Sequence, residues 1–244
     1  VLRFNCKENL MKEKKKIVWV TGASSGLGKA IVQVFAANGI YIAGTARRID
    51  LLNDIKEKLG GLFIPIKLDV SDKLCVEEVY KKISAEYEVE TLINNAGITS
   101  FKNAIDDNIE TMEHIIQTNL LGSIYTIKYV LPEMIERKEG TIINILSVVT
   151  QKVFTGSSSY SASKTGLLAF AKVIREELRD KNIRVINISP GPTATEIWHE
   201  KVLAKYSEKM MSTEAIAKLI FRIYEEKTNL VAEEIVLSPI TGEL

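Results

Sequence analysis

Cysteine is almost missing from this chain of 244 residues. Only Cys6 and Cys75 occur, too few for a disulfide framework and in no metal-ligand spacing such as C-x-x-C. A disulfide-stapled scaffold and a zinc module are excluded, and a reducing cytoplasm is the expected setting. Histidine is as scarce: His114 and His199 show no sequence partner for a Ser-His-Asp arrangement, and Ser157-Ser158-Ser159 lacks the G-x-S-x-G elbow. Hydrolysis by such a triad is excluded, and no metal site is expected. An excess of one charge is also missing, because 32 basic and 31 acidic residues leave a formal net charge of +1. That is no footprint for nucleic acid. Long apolar runs are absent as well, with nothing near the ~18 residues that span a bilayer. The four residues Ile17 to Val20 behind a lysine run are too short for the core of a signal peptide. Membrane is therefore not an expected partner.

What remains is a length suited to one α/β domain. Residues 1–16 are polar and basic without a clear period, and read as an N-terminal extension to a domain over 17–244. From Ile17 a short apolar run, a turn and an amphipathic stretch recur. Strands are expected at 17–21, 40–46, 62–68, 90–95, 141–147, 183–189 and 231–237, and helices at 26–38, 48–59, 72–86, 108–137, 158–181 and 213–226. Ser71 and Thr213 are the expected helix caps. The strands lack in/out alternation, which suits a parallel sheet covered on both faces. Right-handed crossovers then give a single doubly wound, Rossmann-like α/β domain of about seven strands. The interval 193–212 reads as a short substrate lid and contains His199, whereas His114 reads as a helix-face residue.

The first strand runs into Thr21-Gly22-Ala23-Ser24-Ser25-Gly26-Leu27-Gly28. Glycines there allow backbone to approach a pyrophosphate, which a helix N-terminus attracts with its N–H groups and positive dipole end. At the end of the second expected strand stand Arg47 and Arg48 after Ala46, with Asp50 the nearby acid. Two guanidiniums suit a 2′-phosphate through forked, charge-assisted bonds, with Ser24 or Ser25 sharing the load. NADP is the expected cofactor and NAD the alternative. In Asn94-Asn95-Ala96-Gly97, small residues let a cofactor lie against the backbone and Asn side chains can tie strands together.

Tyr160 and Lys164 stand four residues apart, so on a helix they share a face. A Lys164 ammonium beside the Tyr160 hydroxyl is expected to lower its pKa towards that of a working acid or base. Ser147 ends the fifth strand, where ligands of open parallel sheets bind. With the G-x-x-x-G-x-G spacing, Asp69, Asn94 to Gly97, Asn119, Ser147, Tyr160, Lys164 and Pro190-Gly191 in this order, the chain from Ile17 onward resembles the short-chain dehydrogenase/reductase family. The resemblance implies that Tyr160 exchanges a proton with the carbonyl oxygen and that Ser147 hydrogen-bonds it. It further implies that Lys164 binds the nicotinamide ribose, and that Asn119 distorts its helix and holds a water relaying protons to Lys164. For the cofactor it implies Asp69 and Val70 at the adenine, and Pro190, Gly191 and Thr195, with Thr193 as rival, at the nicotinamide.

The expected activity is hydride transfer between NADP(H) and a small aldehyde, ketone or hydroxy acid. A catalytically silent nucleotide-binding regulator on the same fold is the rival of another class. Val148, Val149, Phe154, Ile197 and Trp198 are candidate pocket walls, and Lys201 or Lys205 candidate anchors for a carboxylate. Apolar strips at Leu120, Ile124 and Ile127 and at Leu167, Phe170 and Ile174 are expected to exceed what one domain covers. With the resemblance they imply a homodimer or homotetramer.

Overall fold

The computed structural model describes residues 14–242. Seven strands form one parallel sheet in the order β3-β2-β1-β4-β5-β6-β7: β1 Lys15–Thr21, β2 Ile42–Ala46, β3 Phe63–Lys67, β4 Tyr87–Asn94, β5 Gly140–Ile145, β6 Ile183–Pro190 and β7 Glu234–Leu237. The chain winds outward one way from β1 to β3 and the other way from β4 to β7. The reversal lies between β1 and β4, and the crevice outside their carboxyl ends is where such sheets bind ligands.

The apolar runs show why the sheet is covered on both faces. In β1, Val18 and Val20 belong to one core and Ile17 and Trp19 to the other; in β6, Ile186 and Ile188 oppose Ile183 and Val185. Alternate side chains point to opposite faces, so a strand apolar throughout needs a helical layer on each side. Helices α1 (Gly26–Ala37), α2 (Ile49–Leu59) and α8 (Thr213–Glu225) supply buried residues to the first core, and α3 (Lys73–Glu86), α5 (Gly122–Arg137) and α6 (Ser158–Glu177) to the second. Each fully buried aliphatic side chain contributes roughly 1.5–3 kcal/mol.

Several sequence expectations are corrected. The expected helix 108–137 is divided into α4 (Ile109–Ile116), a π-helical turn at Gln117–Leu121 and α5. The expected helix 158–181 stops at Glu177, and a 3₁₀ turn runs over Arg179–Lys181 before Asn182, whose left-handed φ of 58° ends it. The caps are one residue away from Ser71 and Thr213. Asp72 accepts from the backbone N–H groups of Leu74 and Cys75, and Ser212 from that of Ala215, since the capping side chain must sit outside the first helical residue. Strand β1 begins at Lys15, inside the stretch read as extension, whose residues 1–13 lie outside the described residues. The interval 193–212 carries an unexpected helix, α7 (Glu200–Tyr206). Its base is closed by Met211 N–H donating to the Pro192 carbonyl and Ala194 N–H to the Met211 carbonyl. Among the described residues no helix is long and apolar enough to cross a membrane, and no group of three potential metal ligands gathers.

Candidate active site

At the reversal point the glycine turn is bound to the end of β4. Thr21 Oγ1 accepts from the backbone N–H groups of Asn95 at 3.1 Å and Ala96 at 3.0 Å. The Asn95 amide donates to the carbonyls of Thr21 at 3.0 Å and Gly22 at 3.2 Å. The approach leaves no room for side chains. A Cβ on Gly28 would stand 2.2 Å from the Gly22 carbonyl oxygen, and one on Gly22, whose φ is +67°, would stand 2.8 Å from Ala96 Cα. Backbone alone therefore forms the floor in front of the first turn of α1, where Leu27 and Gly28 lie.

Two guanidiniums close the β2 end of this crevice. Arg48 donates to Ser25 Oγ at 2.6 Å and to Ser24 Oγ at 3.2 Å, so one cation collects both serines of the turn. Arg47 Nη1 lies 3.5 Å from His114 Nε2, which brings α4 to the same corner; sequence spacing held no signal for that pairing. Asp50 sits in the first turn of α2, where a carboxylate complements the helix dipole. Past β3, Asp69 accepts from the backbone N–H and hydroxyl of Ser71. The Gln117 amide donates to the Ser71 carbonyl at 2.9 Å, and Val70 fills the space beside Gly122.

Ser147, Tyr160, Lys164 and Asn119 converge at the carboxyl ends of β4 and β5. Ser147, just beyond β5, hydrogen-bonds Tyr160. Lys164 is buried, and its ammonium donates to the Ile145 carbonyl at 2.7 Å. Burial lowers its pKa to about 8. Asn119 lies fully buried in the π-helical turn, accepts from Ile98 N–H at 2.8 Å, and donates to the Ile98 carbonyl at 2.9 Å and to Ser163 Oγ at 3.0 Å. Ser163 in turn donates to the Tyr160 carbonyl. Gly97 bridges the group, since a Cβ there would lie 3.4 Å from both Lys164 Nζ and Asn119 Oδ1. The Lys164 ammonium is hydrogen-bonded away from the Tyr160 hydroxyl. Its Nζ stands 5.8 Å from the Tyr160 ring centre and bonds a main-chain carbonyl. Burial pushes the Tyr160 pKa above its ordinary value, opposed only by the Ser147 hydrogen bond.

Residues 16–205 match the family described as short chain dehydrogenase. The chain belongs to the short-chain dehydrogenase family. It is an oxidoreductase of CH–OH and C=O groups. Over 177 residues it is 36% identical to the NADP-dependent 3-hydroxy acid dehydrogenase YdfG of Salmonella typhi, covering 72% of this chain and 71% of that protein. Over 188 residues it is 37% identical to the 3-oxoacyl-[acyl-carrier-protein] reductase FabG of Escherichia coli, 77% of each chain. Among solved structures, the closed form of serine dehydrogenase complexed with NADP+ superimposes with a TM-score of 0.88 at 28% identity, covering 93% of this chain and 96% of that one.

In this short-chain dehydrogenase the loop after β6 crosses the glycine turn. Gly191 N–H donates to the Leu237 carbonyl and Thr193 Oγ1 to the Gly191 carbonyl. The Thr195 side chain reaches Gly26, 3.2 Å from where a Cβ would stand. Of the rivals Thr193 and Thr195, the second faces the turn. A cavity of about 410 Å³ is walled by Val149, Phe154, Asn103, Ala104, Ser158 and Ser161, and its lining includes neither Ser147 nor Tyr160. Trp198 is not in that wall: it stacks on Phe101 and donates from its indole N–H to the Thr193 carbonyl at 3.0 Å. His199 caps α7, and Lys205 lies over the Tyr206 ring. The expected association strips are corrected too. Ile127, Leu167 and Ile174 are buried within the subunit, Ile127 and Ile174 in the second core of the sheet, because α5 and α6 turn those positions inward. Leu120, Ile124 and Phe170 are half-buried and Val173 is exposed.

Proposed function

We propose that the enzyme transfers hydride between NADP(H) and a small hydroxy acid, or the corresponding carbonyl compound. The observation that carries the reading is the convergence of Ser147, Tyr160, Lys164 and Asn119 beside a backbone-floored glycine turn. Arg47 and Arg48 stand at the β2 end of that turn. The floor fits a diphosphate, because only glycine leaves backbone N–H groups within reach of one. The two guanidiniums fit a 2′-phosphate. Gly22, Ser24, Ser25, Gly26, Leu27 and Gly28 would hold the diphosphate side, Asp69 and Val70 the adenine, Asn95, Ala96 and Gly97 the ribose wall, and Pro190, Gly191, Thr193 and Thr195 the nicotinamide. When bound, NADPH supplies hydride to the carbonyl carbon.

The chain's own groups handle the proton. Burial keeps Tyr160 protonated at neutral pH, so in reduction its hydroxyl gives the proton to the carbonyl oxygen as charge develops there. Ser147 donates a hydrogen bond to the same oxygen, the arrangement that stabilises developing charge best when water is excluded. Lys164, held at Ile145 and beside Gly97, is placed to hydrogen-bond the cofactor's ribose. Asn119 fixes the Ile98 backbone and Ser163 around it. The cavity wall mixes the apolar Val149, Val153 and Phe154 with the Asn103 amide and the hydroxyls of Thr155, Ser158 and Ser161, which suits a small substrate of mixed polarity such as a hydroxy acid. The names of the 3-hydroxy acid and serine dehydrogenases point the same way.

The reading extends to a homodimer or homotetramer through the partly exposed Leu120, Ile124 and Phe170 with Val173, in a cytoplasmic setting. Nicotinamide absorbance followed with NADPH and NADH over a panel of 3-hydroxy acids, aldehydes and ketones tests the activity. Absence of turnover on the whole panel would overturn it, and light scattering at micromolar protein checks the assembly.

A further inference from the structure

Phe101 belongs to none of the motifs read from the sequence. It lies on the loop between β4 and α4, more than half exposed, yet its ring is stacked on Trp198 with centres 5.1 Å apart and planes 14° apart. The two rings belong to separate loops, one after β4 and one after β6. On one side, the backbone of Phe101 and Lys102 lies over Gly156, and Asn103 and Ala104 continue into the cavity wall they share with Val149, Phe154, Ser158 and Ser161. On the other, Trp198 is fixed to its own loop by its indole N–H on the Thr193 carbonyl and its backbone N–H on the Thr195 carbonyl. Thr195 in turn lies against Gly26.

We infer that Phe101 is a positioning residue that latches the loop after β6 across the active-site crevice through its stack on Trp198. The inference rests on the oxidoreductase reading. Phe101 meets the cavity wall through its neighbours Asn103 and Ala104, and Trp198 meets the glycine turn through Thr195. The stack therefore couples closure over the substrate to closure over the cofactor. An exposed aromatic ring is common, but two that meet face to face between separate loops draw those loops together. Stacking on this scale shifts an open–closed equilibrium by about threefold to tenfold. The closed state then holds both ligands longer, and release slows by the same factor.

Three measurements on Phe101→Ala and Phe101→Tyr test the latch. Of the two tryptophans, Trp19 is fully buried, so acrylamide quenching reports chiefly on Trp198. Trp198→Phe gives the Trp19 background. In Phe101→Ala, quenching of the Trp198 signal should rise, and NADPH release by stopped flow should accelerate about threefold to tenfold. KM for the carbonyl substrate should rise by a similar factor with kcat unchanged or higher. Phe101→Tyr keeps the ring and should restore all three. Equal quenching and release in wild type and Phe101→Ala would overturn the latch and leave the oxidoreductase reading standing. Failure of wild type to bind NADPH would overturn both.

Discussion

The ammonium of Lys164 is tied to the Ile145 carbonyl at 2.7 Å. Tyr160 is thereby left with a neutral partner, Ser147, and with a pKa raised by burial. A raised pKa means that the neutral phenol persists to higher pH, so the acid needed for reduction is present throughout the neutral range. The phenolate needed for alcohol oxidation gains only as pH rises. The kcat for reduction should stay level between about pH 6 and 8 while that for oxidation climbs. Paired pH profiles check this, and a reduction rate falling steeply below pH 8 would contradict it.

Tyr160→Phe removes that proton without removing the ring. Turnover should fall by about 10² or more, the range of general acid–base catalysis, while NADPH affinity by fluorescence titration changes little. Near-normal turnover would rule out Tyr160 as the donor.

Lys164 is held at a pKa of about 8, against an ordinary value of 10.5, by burial. Its charge is disfavoured in the folded state, so the penalty is present in full below about pH 8 and is relieved as pH rises towards 10.5. Against Lys164→Met, the wild-type protein free of cofactor should gain about 3 kcal/mol of stability over that interval. Urea unfolding of both proteins at pH 7 and pH 10 measures the difference, and a constant gap would show that Lys164 keeps its charge by another contact.

Arg47→Ala with Arg48→Ala deprives a 2′-phosphate of its guanidiniums, each worth a charge-assisted hydrogen bond of about 1.5–3 kcal/mol. NADPH should weaken by about 10² or more while NADH changes little. Equal losses in calorimetric titrations with both would move the phosphate site elsewhere.

Gly28→Ala drives a methyl group to 2.2 Å from the Gly22 carbonyl oxygen. Backbone, unlike a side-chain tip, cannot step aside. Cofactor binding should be lost and the melting temperature should drop by several degrees, as expected for a clash of a few kcal/mol. Gly61→Ala, with nothing within 4 Å of the new Cβ, is the control.

Local pattern carried a large share of this protein. Apolar runs without alternation determined a parallel sheet with two covers. The spacing of Gly22, Gly26 and Gly28 behind a strand determined the turn, and the four-residue step from Tyr160 to Lys164 placed both on one helix. These are legible because they depend on the geometry of a single element and its immediate neighbours. What each side chain meets depends on elements distant in the chain, and only the tertiary structure decided it. It sent Lys164 to Ile145 rather than to Tyr160, and it buried Ile127, Leu167 and Ile174 within the subunit. It also brought His114 to Arg47 and Phe101 to Trp198, pairs separated by 67 residues and by two helical crossovers. Periodicity reports which residues share a face of one element; it holds no information on which face of another element comes to meet them.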